Sequence, residues 1–385
     1  MILVPPPLSL YVHMPWCVRK CPYCDFNSHG VRGTPAYAEY VDVLLADLDA
    51  DLRDVGEAIG NRPVETVFFG GGTPSLFAPE LVGRFLAGAR ERLAFAPGAE
   101  ITLETNPGTV EHGRFDGYLA AGVNRISFGV QSFDNDKLHR LGRIHSAHEA
   151  EDAVRQARDA GIDNINIDLM YALPEQTLEG ALDDVRRAMA LAPTHISHYQ
   201  LTLEPNTAFA ANPPPLPDDD AAWAIQEACE ESLAAGGYGQ YEVSAYAAPG
   251  RRCAHNLNYW RFGDYLGIGA GAHGKITGAT GVRRRWKTRL PAAYLASSGQ
   301  PARIGGDHLV GADDLPFEYM LNALRLIDGV PAADFAERTG LPAQTIAPAR
   351  ASCIARGWLV DDPAVLRTTA LGQRFLNDVI EAFMA

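Results

Sequence analysis

Apolar and polar positions in the first 205 residues follow two alternating patterns. Short runs rich in β-branched and aromatic residues fall at 8–13 (LSLYVH), 65–70 (ETVFFG), 100–105 (EITLET), 125–130 (RISFGV), 164–171 (NINIDLMY) and 195–201 (HISHYQL), and they read as six strands. Between them, segments 36–52, 79–93 and 147–161 repeat apolar residues at three- and four-residue spacing, the mark of amphipathic helices. Such alternation predicts an α/β fold with right-handed crossovers, a parallel sheet, and function gathered at the carboxyl ends of the strands.

Beyond residue 205 the pattern changes. The Pro-rich stretch 211–220 reads as a linker, 223–237 as a helix, and 238–275 as an aromatic and Gly-rich segment. From about 306 the pattern is helix, turn, helix, followed by 357–383, a small and mostly helical module resembling a winged helix. The expected organisation is therefore a catalytic-type unit over 1–210, an extension over 211–305 and a terminal module over 306–385.

Composition narrows the class. A chain of 385 residues that is 47% hydrophobic can bury a large core, which excludes a disordered protein. The net charge of −14 opposes binding to polyanions. Eleven acidic and six basic residues in 306–385 point to a packing or partner role for the terminal module, and no nucleic-acid partner is expected. The opening residues MILVPPPLSLYVHMPWC show no positive n-region and no long apolar run, so export is not expected and a cytoplasmic location is.

Six cysteines are few and uneven, and three of them crowd into 17–24, a distribution that suggests metal binding in a reducing compartment rather than disulfides. Cys17, Cys21 and Cys24 follow the first strand as C-x3-C-x2-C. Three thiolates on one loop can hold three irons of a cubane and leave the fourth open, whereas a zinc knuckle or a chance grouping is the alternative reading. Gly70, Gly71 and Gly72 before Thr73-Pro74 end the second strand, where missing side chains allow close backbone approach. Glu104, Asn106, Gln131, Ser132, Arg143 and Asp168 sit on or just after later strands, a polar set at one rim that suits a polar ligand.

YVHMPWCVRKCPYCDF, FFGGGTPS, LETNP, SFGVQSF, LGR and NIDLMYALPEQT together resemble the radical S-adenosylmethionine (SAM) proteins related to oxygen-independent coproporphyrinogen III oxidase, over most of 8–275. The resemblance implies a partial (β/α)6 barrel, a 4Fe-4S cluster on Cys17, Cys21 and Cys24, and SAM chelating the open iron. It further implies SAM contacts from Tyr11, Tyr23, Gly71, Gly72, Thr73, Glu104, Gln131, Arg143 and Asp168; no catalytic residue is assigned.

Within that group the oxidases resemble C-x3-C-x2-C-x-C and carry a longer amino-terminal arm, whereas residue 26 here is Phe and the arm is missing. CDFNS (24–28), the short start and HNLNYW (255–260) instead resemble the HemW-type haem chaperones. That implies haem as a cofactor, with His255 as axial ligand, Asn256 orienting it, and Tyr259 and Trp260 covering the macrocycle; a satisfied core histidine beside an aromatic pair is the alternative. The implied partners are haem, a haem-acceptor protein (membrane-associated acceptors included) and an electron donor such as flavodoxin or ferredoxin. The oxidase, which decarboxylates a porphyrinogen, is the alternative function.

Three further features have open readings. Cys253 is a thiol ligand or a buried small hydrophobe, and Cys229 and Cys353 are expected to pack. GDYLGIGAGAHG (263–274) is a structural turn or a close approach to a ligand, and RRRW (283–286) a solvated face or a contact for propionates.

Overall fold

The computed structural model describes residues 3–31, 33–109 and 114–384. The six predicted strands are all present: β1 (Leu8–Met14), β2 (Val64–Gly71), β3 (Phe95–Thr105), β4 (Arg125–Gln131), β5 (Asn164–Tyr171) and β6 (His195–Gln200), paired in that order and parallel. The crossovers include α1 (Tyr37–Ile59), α2 (Pro79–Arg92), α3 (Arg114–Ala121), α4 (Ala147–Asp159) and α5 (Leu178–Ala190). α4 begins at a capping box in which the Glu149 amide donates to Ser146 Oγ and the Ser146 amide to Glu149 Oε2, satisfying donors that a helix start leaves open.

The strands are buried on both faces, yet the faces differ. Leu8, Leu10, Val12, Ile126, Phe128, Val130, Ile165, Ile167 and Leu169 join the main core with helix residues such as Val41, Leu44 and Val185. The alternate positions, Ser127 and Gln131 on β4 and Asn166 and Asp168 on β5 among them, turn the other way and are polar. Period-two alternation thus separates an apolar outer layer from a polar interior.

The sheet does not stop at six strands. Beyond β6 lie two antiparallel strands, β7 (Gly239–Glu242) at the edge and β8 (Ala245–Ala247) next to β6. On the far side of β1, β9 (Asp264–Ile268) pairs parallel, and β10 (His273–Gly278), β11 (Gly281–Lys287) and β12 (Ile304–Leu309) continue antiparallel, giving twelve strands. The expected extension over 211–305 is therefore part of the same sheet, and the boundary placed at 306 falls inside β12. α6 (Asp219–Ala235), expected over 223–237, is capped by the Asp218 side chain, which accepts from the Ala221 amide.

Two buried ion clusters lock this extension to the barrel. Lys287 and Arg303 pair with Asp47 and Asp51 of α1, and Asp264 takes Lys275 and Arg62. RRRW belongs to β11, where its arginines are held in ion pairs: Arg283 pairs with Asp307, Arg284 with Glu318, and Arg285 with Asp51, Asp54 and Asp307.

The terminal residues form helices α8 (Leu315–Ala323), α9 (Ala333–Thr339) and α10 (Ala347–Ala355) with a small ribbon pairing Val330–Pro331 to Val365–Leu366, the winged-helix-like arrangement expected. Their core, with Tyr319, Phe335 and Cys353, is continuous with Tyr241, Ala245 and Phe262 of the extension. No helix among the described residues is long and apolar enough to cross a membrane.

Candidate cofactor-binding site

A cavity of about 550 Å³ opens at the carboxyl ends of the strands, within the range of small-molecule sites. Its position follows from register. β1 and β2 run side by side with Met14 opposite Gly71, so the loop after β1 starts beside the glycine turn after β2, where the Gly72 and Thr73 amides donate to the carbonyls of Met14 and Trp16 at 2.7 Å.

Cys17, Cys21 and Cys24 line this cavity, each half-buried and unbridged. Arg143 Nη1 lies 3.6 Å from Cys21 Sγ, and the same guanidinium donates from Nη2 to the Gly129 carbonyl. Burial pushes the Cys17 thiol up, an effect that a cation or iron would oppose. His13 Nε2 hydrogen-bonds the Asn27 carbonyl, and Asn27 Nδ2 donates to the carbonyls of Ala270 and Arg289, so the extension holds the cysteine loop from outside.

The glycines have structural reasons of their own. Gly71 has φ +108°, and a Cβ there would sit 2.4 Å from the His13 ring; one on Gly72 would meet the Trp16 carbonyl at 2.6 Å. In GDYLGIGAGAHG, a Cβ on Gly269 would meet the His13 carbonyl and one on Gly271 the Asn27 side chain, both at 2.4 Å. Close approach is real here, and it is to the end of β1 and the cysteine loop.

Two carboxyls reach the cavity from the interior. Glu104 Oε2 accepts the Gly71 amide at 3.1 Å, and burial, reinforced by Asp168, raises its carboxyl to about 8. Asp168 accepts from Asn166 at 2.7 Å and Ser127 at 3.3 Å, and burial pushes it up as well. Gln131 is held at φ +74°, a conformation unusual outside glycine, at the bulge where β4 slips against β5; its Oε1 accepts from Tyr199 at 2.7 Å.

On the opposite wall lies α7 (Ala254–Trp260), packed on the inner face of β1 and β2. Glu100 accepts the amides of Ala254 and His255 and the Cys253 thiol at 3.0 to 3.5 Å, Asn258 donates to Ser9 Oγ, and His255 Nδ1 meets Thr66 Oγ1 at 2.7 Å. His255 stacks on Phe68 and meets Tyr259 edge-on.

Residues 11–188 match the radical SAM superfamily and residues 310–375 the HemN C-terminal domain. The chain is 51% identical to the heme chaperone HemW of Escherichia coli K12, over 99% of both chains, and 50% identical to that of Haemophilus influenzae, over 98% of both. The chain belongs to the HemW family of radical SAM proteins. The same fold occurs in the E. coli coproporphyrinogen III oxidase HemN, a radical SAM enzyme, with a TM-score of 0.79 at 23% identity, covering 98% of this chain and 90% of that one.

The radical SAM superfamily uses a 4Fe-4S cluster and SAM, and the donor set of this HemW-family chain suits both. Three free thiols on one loop leave one iron of a cubane to an outside ligand. Among the described residues no three His, Cys, Asp or Glu side chains close around a single ion. A cubane has its irons at separate corners and takes its thiolates farther apart. For SAM, Arg143 Nε is buried with no hydrogen-bond partner among the described residues, a donor left for a carboxylate.

Of the residues expected to contact SAM, Tyr23, Gly71, Gly72, Thr73, Glu104, Gln131, Arg143 and Asp168 line the cavity. Tyr11 does not; its hydroxyl bonds His13 Nδ1 behind the wall. Ser132 is taken by Asp184. Of the HNLNYW residues, Asn256 and Trp260 line the cavity, one helical turn apart, whereas His255 and Tyr259 face the sheet. As placed, His255 is a core histidine 1% exposed, held neutral by burial with its proton affinity lowered to about 3. Sequence reading missed Ser127, Ser197, Tyr199, Glu242 and Ser244, which also line the cavity. The alternation on β4 and β6 points to the first three; Glu242 and Ser244 had no such signal. Cys253, its thiol pushed up to about 12 by burial, packs, as do Cys229 and Cys353.

Proposed function

We propose that this chain is a haem chaperone that binds haem, a 4Fe-4S cluster and SAM and passes haem to an acceptor protein. The observation that carries the reading is that one cavity has the three thiols and the Glu104, Arg143 and Asp168 groups on one side and Asn256 with Trp260 on the other. The relatives named above as heme chaperones support it over nearly the full chain.

Cys17, Cys21 and Cys24 would hold the cluster, and Arg143, Glu104, Gly71, Gly72, Thr73, Gln131, Tyr23 and Asp168 would receive SAM. Bound there, cluster and SAM supply one-electron chemistry. The chain's part is to fix charge: Arg143 offers a cation to thiolate and carboxylate, and the two buried acids gain a counter-ion when an ammonium arrives. For haem, Trp260 supplies an apolar wall and Asn256 a polar contact, with His255 and Tyr259 bracing them from behind; axial ligation by His255 requires α7 to turn. Free thiols and an exchangeable iron suit a reducing cytoplasm, and an electron donor such as flavodoxin or ferredoxin would serve the cluster. Coproporphyrinogen oxidation is the second reading, favoured by the shared fold, but Phe26 stands where the oxidases resemble a fourth cysteine.

Anaerobic titration of cluster-loaded protein with haem tests the proposal. A shifted Soret band, weakened in Asn256→Ala and in the folded fraction of Trp260→Ala, is the expected result. His255→Ala should mainly destabilise, by about 1–3 kcal/mol, because the ring's stacking on Phe68 and one of the two buried hydrogen bonds of Thr66 are lost, the one to Ser9 remaining. No Soret response, or turnover of coproporphyrinogen, overturns the reading.

A further inference from the structure

The residues that line the cavity belong to the barrel and its extension, but two of them are held from behind by the terminal module. Trp260 and Glu242 both line the cavity, and one side chain from the terminal module holds both. The Arg325 guanidinium lies over the Trp260 ring at 4.3 Å from its centroid and donates to Glu242 Oε2 from Nη2 at 2.9 Å and Nε at 3.2 Å. The Glu242 side chain is only 4% exposed, so without this partner a carboxylate would be left in the wall with only the Ser244 amide to satisfy it. The backbone reinforces the link, since Glu242 bridges to Leu326 and the Ile327 amide donates to the Tyr241 carbonyl at 3.1 Å.

We infer that Arg325 is a positioning residue through which the terminal module braces the wall of the ligand cavity, setting the plane of the Trp260 ring for a flat apolar ligand. This rests on the proposed haem site and assigns the module a part in it. A cation on one face of an indole fixes the ring while leaving the rest of it for the ligand, and a guanidinium does so better than an ammonium, because it is planar and can bond Glu242 through two nitrogens at once. Trp260 Nε1 is buried with no hydrogen-bond partner among the described residues, so ring placement here depends on packing and on Arg325.

The test uses the full-length, cluster-loaded protein and two readouts. In ligand-free protein, the emission assigned to Trp260 by subtraction of a Trp260→Phe variant should become more accessible to acrylamide in Arg325→Gln, and less so in Arg325→Lys. In haem titration, Arg325→Gln should weaken binding about tenfold, the scale of the cation–π contact that sets the ring, with Arg325→Lys between it and the parent. Should Arg325→Gln fail to fold, Glu242→Gln/Arg325→Gln removes the unpaired carboxylate and takes its place. Unchanged quenching in Arg325→Gln overturns the inference. Changed quenching with unchanged haem affinity overturns its ligand part. If the parent protein binds no haem, the chaperone reading fails instead, and quenching alone decides whether Arg325 positions Trp260.

Discussion

Arg143 Nη1 points at Cys21 Sγ from 3.6 Å, although 122 positions separate the two residues. One guanidinium thereby touches the cysteine loop and the Gly129 carbonyl at the β4 bulge, while its buried Nε has no hydrogen-bond partner among the described residues. Replacing it by Lys keeps the charge but loses the planar fork. Arg143→Lys should lower SAM affinity by about tenfold or more, measured by the SAM-induced change in the reduced cluster's paramagnetic resonance, while iron content falls less.

Cys17→Ala, Cys21→Ala and Cys24→Ala should each abolish the cluster, whereas Cys229→Ala and Cys353→Ala should keep it, because those two thiols are buried in packing clusters away from the cavity. Iron and sulfide counts after anaerobic reconstitution decide this. Four irons and four sulfides in Cys24→Ala would reject the ligand assignment.

Glu104 gives a pH signature. Its carboxyl, raised to about 8 from an ordinary 4.5, favours the protonated form in the folded protein. The stability it contributes is complete below the ordinary value and is lost as pH rises through about 8, a change of up to about 5 kcal/mol in ligand-free protein. Chemical denaturation of Glu104→Gln should be flatter over that window. SAM works in the opposite direction: a ligand ammonium favours the ionised carboxyl, so affinity should rise from pH 6 to 8 in the parent and stay level in Glu104→Gln.

Gly71→Val should act through His13 rather than by filling the ligand space. The added side chain collides with the imidazole that braces Asn27, and it does so on a backbone with φ +108°. A loss of about 2–4 kcal/mol, with poor cluster retention, is expected from overpacking and strain together. Melting temperature and iron content of Gly71→Val/His13→Ala distinguish the causes, since removing the ring should recover part of both losses. No recovery would leave the left-handed backbone at Gly71 as the cause.

How much of this could be read along the chain follows from the range of the forces involved. The six barrel strands and their helices were legible because burial on an outer face imposes a period of two or 3.6 on each segment by itself. The cysteine loop was legible because its three donors lie within eight residues, and the glycine turn because φ near +108° excludes most side chains. β11 was hidden: GVRRRWK looks like a charged surface until Asp51, Asp54, Asp307 and Glu318 arrive from elsewhere to neutralise it. The facing of HNLNYW was hidden for the same reason. His255 turns inward because Thr66 and Phe68 wait on β2 and Glu100 on β3 takes the helix amides, leaving Asn256 and Trp260 for the cavity. Local periodicity and spacing are properties of one segment, but the partner of a buried charge or a free imidazole nitrogen is chosen only when distant segments meet, and there the tertiary structure decided.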